Sequence, residues 1–95
     1  MGSASVQELR AFTLRARVEN ARGAHELAVE LVTPAQTRFE RRSRSFTGDG
    51  TAQELSFEFP VAGTLIQHAN LSGQWNVFFL LDGREVASEG FELLP

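Results

Sequence analysis

The chain has 95 residues, 42% of them hydrophobic, with eight Phe, one Trp, no Cys and a formal charge of −3. A chain of this length forms one domain, here residues 1–95, and buries only about 60–65% of its unfolded surface, so its core has to be efficient. Without Cys there is no disulfide clamp and no thiolate, iron–sulfur or Cys-rich zinc chemistry, and the acidic balance argues against general nucleic-acid binding.

All nine basic residues are Arg, a bias that reads as a GC-rich bacterial genome. They are unevenly placed: residues 1–48 hold eight Arg against five acids, and residues 49–95 hold one against seven. No run of 18 apolar residues offers a transmembrane helix, so no membrane insertion is expected. The opening Met1-Gly2-Ser3-Ala4-Ser5 lacks the charged and apolar regions of a signal peptide. Residues 1–6 are read as a flexible or vector-derived tail.

From there the dominant signal is alternation with period two, the mark of strands with one face in a core. Phe12, Leu14, Ala16 and Val18 alternate with Thr13, Arg15, Arg17 and Glu19. After Asn20-Ala21-Arg22-Gly23, Leu27, Val29 and Leu31 alternate with Glu26, Ala28 and Glu30, and Pro34 ends the run. These two runs read as an antiparallel hairpin. Thr37 to Phe46 is a weaker strand, in which Arg38, Arg41, Arg42 and Arg44 surround Phe39; Thr47-Gly48-Asp49-Gly50 reads as a loop.

Leu55, Phe57 and Phe59 then form a clear strand that stops at Pro60, and Thr64 to His68 is read as a short strand. Trp75, Val77, Phe79 and Leu81 set the phase of the next. Asp82-Gly83 follows at once, a strong signal for a type I′ hairpin because both central residues need positive φ. A two-residue turn pairs Leu81 with Arg84 and leaves Phe91 and Leu93 out of phase, which calls for a bulge near Gly90. The chain shows no helical periodicity over ten residues. Seven runs with frequent turn signals point to an all-β fold, an antiparallel two-sheet sandwich of about seven strands.

The stretch Ile66-Gln67-His68-Ala69-Asn70-Leu71-Ser72-Gly73-Gln74-Trp75-Asn76-Val77 resembles the passage from the fifth to the sixth strand of immunoglobulin-like domains. The continuation through Asp82-Gly83 to Phe91-Glu92-Leu93 is similar to the terminal hairpin of bacterial extracytoplasmic sandwich domains. The resemblance covers the last 30 residues, lacks the two cysteines of antibody domains, and implies an immunoglobulin-like sandwich without naming a function.

Catalytic chemistry finds little to work with. The two histidines, His25 and His68, stand at a turn and a strand end with no metal-ligand spacing between them. Glu54 and Glu58 share a solvent face and Glu89 and Glu92 sit on the last strand, neither arranged as carboxylates across a cleft. Asp49 is one carboxylate where calcium needs six to eight oxygens. Asn70-Leu71-Ser72 fits a glycosylation acceptor, a pattern without meaning in a bacterial chain. No enzyme activity, catalytic residue, metal or cofactor is expected.

Two features stand out. On a strand, Arg38, Arg42 and Arg44 share one face with Glu40 among them, a candidate contact for an anionic polymer; the structural alternative is an edge strand kept from aggregating by charge. The strand Trp75–Leu81 is apolar on both faces, so Phe78 and Leu80 point outward and, with Ala87 of the final strand, form a candidate protein interface for self-association or a protein partner. The expectation is a non-catalytic protein–protein interaction or structural module of a bacterial envelope or surface assembly, with periplasm or cell surface favoured over cytoplasm. A carbohydrate-binding module and a small cytoplasmic scaffold or regulatory domain are the alternatives.

Overall fold

The computed structural model describes residues 3–95. Seven strands and one helical turn follow in the order β1 (Ser3–Ser5), β2 (Ala11–Val18), β3 (Arg22–Val32), β4 (Arg38–Asp49), β5 (Gln53–Pro60), α1 (Leu65–His68), β6 (Gly73–Leu81) and β7 (Arg84–Leu94). The chain is all-β, with a five-stranded sheet in the order β1-β7-β6-β3-β4 and a two-stranded sheet of β2 and β5. β1 runs parallel to β7 while the other pairs are antiparallel, so the larger sheet is mixed rather than purely antiparallel.

The core lies between the two sheets. From the small sheet come Leu14, Leu55, Phe57 and Phe59; from the large one Leu27, Val29, Leu31, Trp75, Val77, Phe79, Phe91 and Leu93, all buried. Phe12 packs against this cluster from its partly buried position, 5.4 Å from the Phe59 ring and 5.2 Å from Phe91. Alternation in the sequence puts every second residue of these strands inside, as period-two geometry requires.

Five local expectations are corrected. The runs at β2 and β3 do not pair with each other. β2 takes β5 along its whole length, from Ala11 opposite Pro60 to Val18 opposite Gln53, while β3 joins β4 and β6. The short link, with Asn20 at φ 62°, carries the chain from one sheet to the other. Alternation marks which face is apolar, but two successive strands show the same pattern whether they sit side by side or across a core.

The tail assignment also changes. Ser3–Ser5 form β1 beside the end of β7, and Val6 is fully buried; Met1 and Gly2 of that assignment lie outside the described residues. Its short polar run carries no alternation, and only the partner strand makes it a strand.

Thr64 to His68 is a helical turn instead of a strand: His68 N–H bonds the Thr64 carbonyl and Ala69 N–H bonds that of Leu65. Ile66 plugs the core while Leu65 faces solvent, a division that four residues achieve equally well as a turn. Likewise β4 runs through Thr47 and Gly48, which pair with Ala24 and Gly23. Gly48 is needed there for close approach, since a Cβ would sit 2.3 Å from the Ala21 carbonyl oxygen.

The Asp82-Gly83 turn has φ of 51° and 84° and pairs Leu81 with Arg84 as expected. The bulge that restores Phe91 and Leu93 to the core falls at Val86, between the pairs Phe79–Ala87 and Leu80–Glu85, and not near Gly90. Any one-residue insertion between the turn and Phe91 corrects the phase. Gly90 answers a different need, leaving room for the Gln74 side chain, whose nitrogen would be 2.5 Å from a Cβ.

Candidate functional site

β4 lies at one edge of the large sheet, and its arginines separate into two groups. A register shift between Leu31 and Val32 changes the phase of the strand near Arg38. Arg38 forms an ion pair with Glu30, which sits between buried Val29 and Leu31 and so faces outward. Arg42 and Arg44 stand opposite the buried Val29 and Leu27 and lean the other way, toward β5. The bulge therefore divides the set Arg38, Arg42 and Arg44 between two faces, where uniform alternation would have joined them.

Arg42 donates to the Glu58 carbonyl and to the Glu40 carboxylate, and its guanidinium stands 4.4 Å from the centre of the Phe59 ring. Arg44 donates to the Ser56 carbonyl at 3.1 Å. Ser56 and Glu58 are two apart, so their carbonyls project from the same edge of β5, the edge without a strand beside it among the described residues. The two guanidiniums occupy that edge and bridge the two sheets along the side between β4 and β5.

On the outward face of β6, the middle strand of its sheet, Phe78 and Leu80 are half-buried. Phe78 lies between Glu30 of β3 and Ser88 of β7; Leu80 lies between Ala28 and Glu85. Ala87 does not join them. The bulge at Val86 puts Ala87 opposite Phe79, on the inner side of the sheet.

A polar knot links the β6–β7 turn to β3. His25 bonds Asp82 through Nδ1 at 2.6 Å and the Arg22 carbonyl through Nε2 at 2.8 Å. The other Asp82 oxygen accepts the Glu26 N–H at 2.9 Å, and the Asp82 N–H returns a bond to the Glu26 carbonyl. Both ring nitrogens face acceptors, so the arrangement is complete only for the imidazolium, which donates from both. The Asp82 hydrogen bond, then the Arg22 carbonyl, raise the pKa of His25 above its ordinary 6.5. The same bond from His25, followed by the Glu26 N–H, lowers that of Asp82. With Nε2 on a backbone carbonyl, His25 has no nitrogen turned to a nucleophile.

This knot is not foreseen in the sequence. Its only trace is an aspartate in the first turn position, and the β3–β6 register, Leu27 opposite Leu81, is what brings His25 to it. Glu54 and Glu58 stand exposed on β5, and Glu89 and Glu92 exposed on β7. Trp75 is fully buried, its Nε1 bonded to the Leu71 carbonyl at 2.9 Å, so its ring offers no platform to a sugar. Among the described residues no three His, Asp or Glu side chains cluster as metal ligands, and no helix is long and apolar enough to cross a membrane. No family model, curated protein or solved structure matches the chain.

Proposed function

We propose that this chain is an immunoglobulin-like sandwich module that acts by protein–protein contact, without catalysis, within a bacterial envelope or surface assembly. The strand order supports the fold reading. In immunoglobulin sandwiches the second and fifth strands share one sheet, and the third, sixth and seventh share the other, with an extra strand joining the third in variable-type domains. Here β2 and β5 form one sheet, β3, β6 and β7 lie together in the other, and β4 extends it beside β3. On this reading β1 is the first strand, moved across to the edge of the last.

The observation that carries the functional reading is the outward strip of β6. Phe78 and Leu80 lie side by side at the centre of the large sheet, where a solvent face needs no apolar residue. Fully burying two such side chains contributes about 1.5–3 kcal/mol each, enough to anchor a partner surface whose rim is supplied by Glu30, Ser88 and Glu85. Photo-crosslinking in the cells that make the protein tests it. A photoreactive residue at position 78 is expected to give a discrete protein adduct that one at exposed Thr13, on the small sheet, does not. Matching adducts from both positions, or none from position 78, would contradict the reading.

A further inference from the structure

At the side of the sandwich opposite β4, two strands have no neighbour among the described residues over most of their length. β2 pairs only with β5, and on β7 the described β1 covers only Glu92–Leu94. Between them lies a groove of about 250 Å³ with an apolar floor of Ala16, Val18, Leu27 and Phe79. Its two lips carry opposite charge. Arg15 and Arg17 border it on β2, and Glu89 borders it on β7. On the β7 lip stands Val86, 57% exposed, among the large apolar side chains of the described residues second only to Leu65.

We propose that this side of the molecule is a self-complementary dimer interface, in which a second copy of the chain docks groove to groove about a two-fold axis. With the two-fold axis running along the groove the lips are exchanged, so the basic β2 lip of each copy meets the acidic β7 lip of the other. The same operation brings Val86 of each copy to the partner's groove, whose space suits a side chain of that size. The two edges are matched in length: β2 has eight residues, and Arg84–Phe91 is the equivalent stretch of β7. Charge and shape are thus complementary between identical surfaces, the condition an isologous contact has to meet. The contact is small, and standard-size stable interfaces bury roughly 1,200–2,000 Å² in total, which places this dimer among weak, concentration-dependent ones.

This surface is separate from the outward face of β6, and the test keeps the two apart by carrying Phe78→Ser in every variant. Sedimentation is measured for Arg15→Glu/Arg17→Glu, for Glu89→Arg, and for their equimolar mixture, with circular dichroism confirming the fold of each. Each charge-reversed variant alone presents like charges across both contacts and is expected to self-associate at least about tenfold more weakly than the parent. In the mixture both contacts regain opposite charges, and a heterodimer of about the parent's affinity is expected. Val86→Asp in the parent background is expected to weaken the dimer without any charge partner to rescue it. A parent that stays monomeric at about 1 mM, a mixture that stays monomeric while its folded components do, or a Val86→Asp dimer of unchanged affinity would each overturn the proposal. Binding of an unrelated strand at a strictly monomeric parent's groove would also count against it.

Discussion

The indole N–H of Trp75 donates to the carbonyl of Leu71, four residues before it, at 2.9 Å. That bond ties the loop after α1 to the first core residue of β6, while the ring packs edge-on to Phe39 at 5.3 Å and stacks on Phe91 at 6.1 Å. One side chain thus joins β4, β6, β7 and the helix-bearing loop.

Two substitutions separate these roles. Trp75→Phe keeps most of the packing but leaves the Leu71 carbonyl without its donor, an expected loss of about 1–3 kcal/mol. Trp75→Ala also opens a cavity and is expected to cost about 3–5 kcal/mol. Urea unfolding with both variants measures the difference; a Trp75→Phe variant as stable as the wild type would mean that the bond to Leu71 contributes nothing.

The arginines of β4 bear on stability through the carbonyls they cover. Replacing Arg44 by Ala removes a charged donor from the Ser56 carbonyl and is expected to cost about 1–2 kcal/mol, reduced by the exposure of the pair. Arg41→Ala, on the exposed opposite phase of the strand, is expected to stay within about 0.5 kcal/mol of the wild type. Thermal unfolding of the two variants side by side checks the contrast.

The knot at His25 gives stability a defined pH dependence. Because folding raises the His25 pKa, its contribution is fully present below the unfolded value of about 6.5 and is lost as pH rises through the folded value. Asp82 runs the other way: its pKa is lowered, so its contribution is present above about 3.8 and is lost as pH falls through the folded value. The melting temperature is expected to fall as pH rises from 6 toward neutral and beyond, and His25→Gln is expected to flatten that fall. A wild-type curve flat across this range would show that His25 is not held as the imidazolium.

Alternation made much of the fold legible. Leu14, Val29, Phe57, Phe59, Trp75, Val77 and Phe79 all lie where their phase places them, and Asp82-Gly83 turns as its chemistry dictates. Pairing was less legible, because β2 and β3 present the same pattern to neighbours or to opposite sheets. The bulges at Val86 and near Arg38 were the hardest features, since one extra residue leaves composition unchanged and reverses every side chain beyond it. They decide the candidate sites: one takes Ala87 away from Phe78 and Leu80, and the other parts Arg38 from Arg42 and Arg44.

The outward face of β6, proposed as a contact surface, is left open in the isolated chain. Hydroxyl-radical footprinting of Phe78 and Leu80, read by mass spectrometry, compares the purified protein with the same protein in an extract of the cells that make it. Both residues are expected to be oxidised in the purified chain and protected at least about threefold in the extract, as burial of interface anchors implies, while Leu65 serves as the exposed reference. Equal oxidation of Phe78 in the two samples, or its protection already in the purified monomer, would contradict the account.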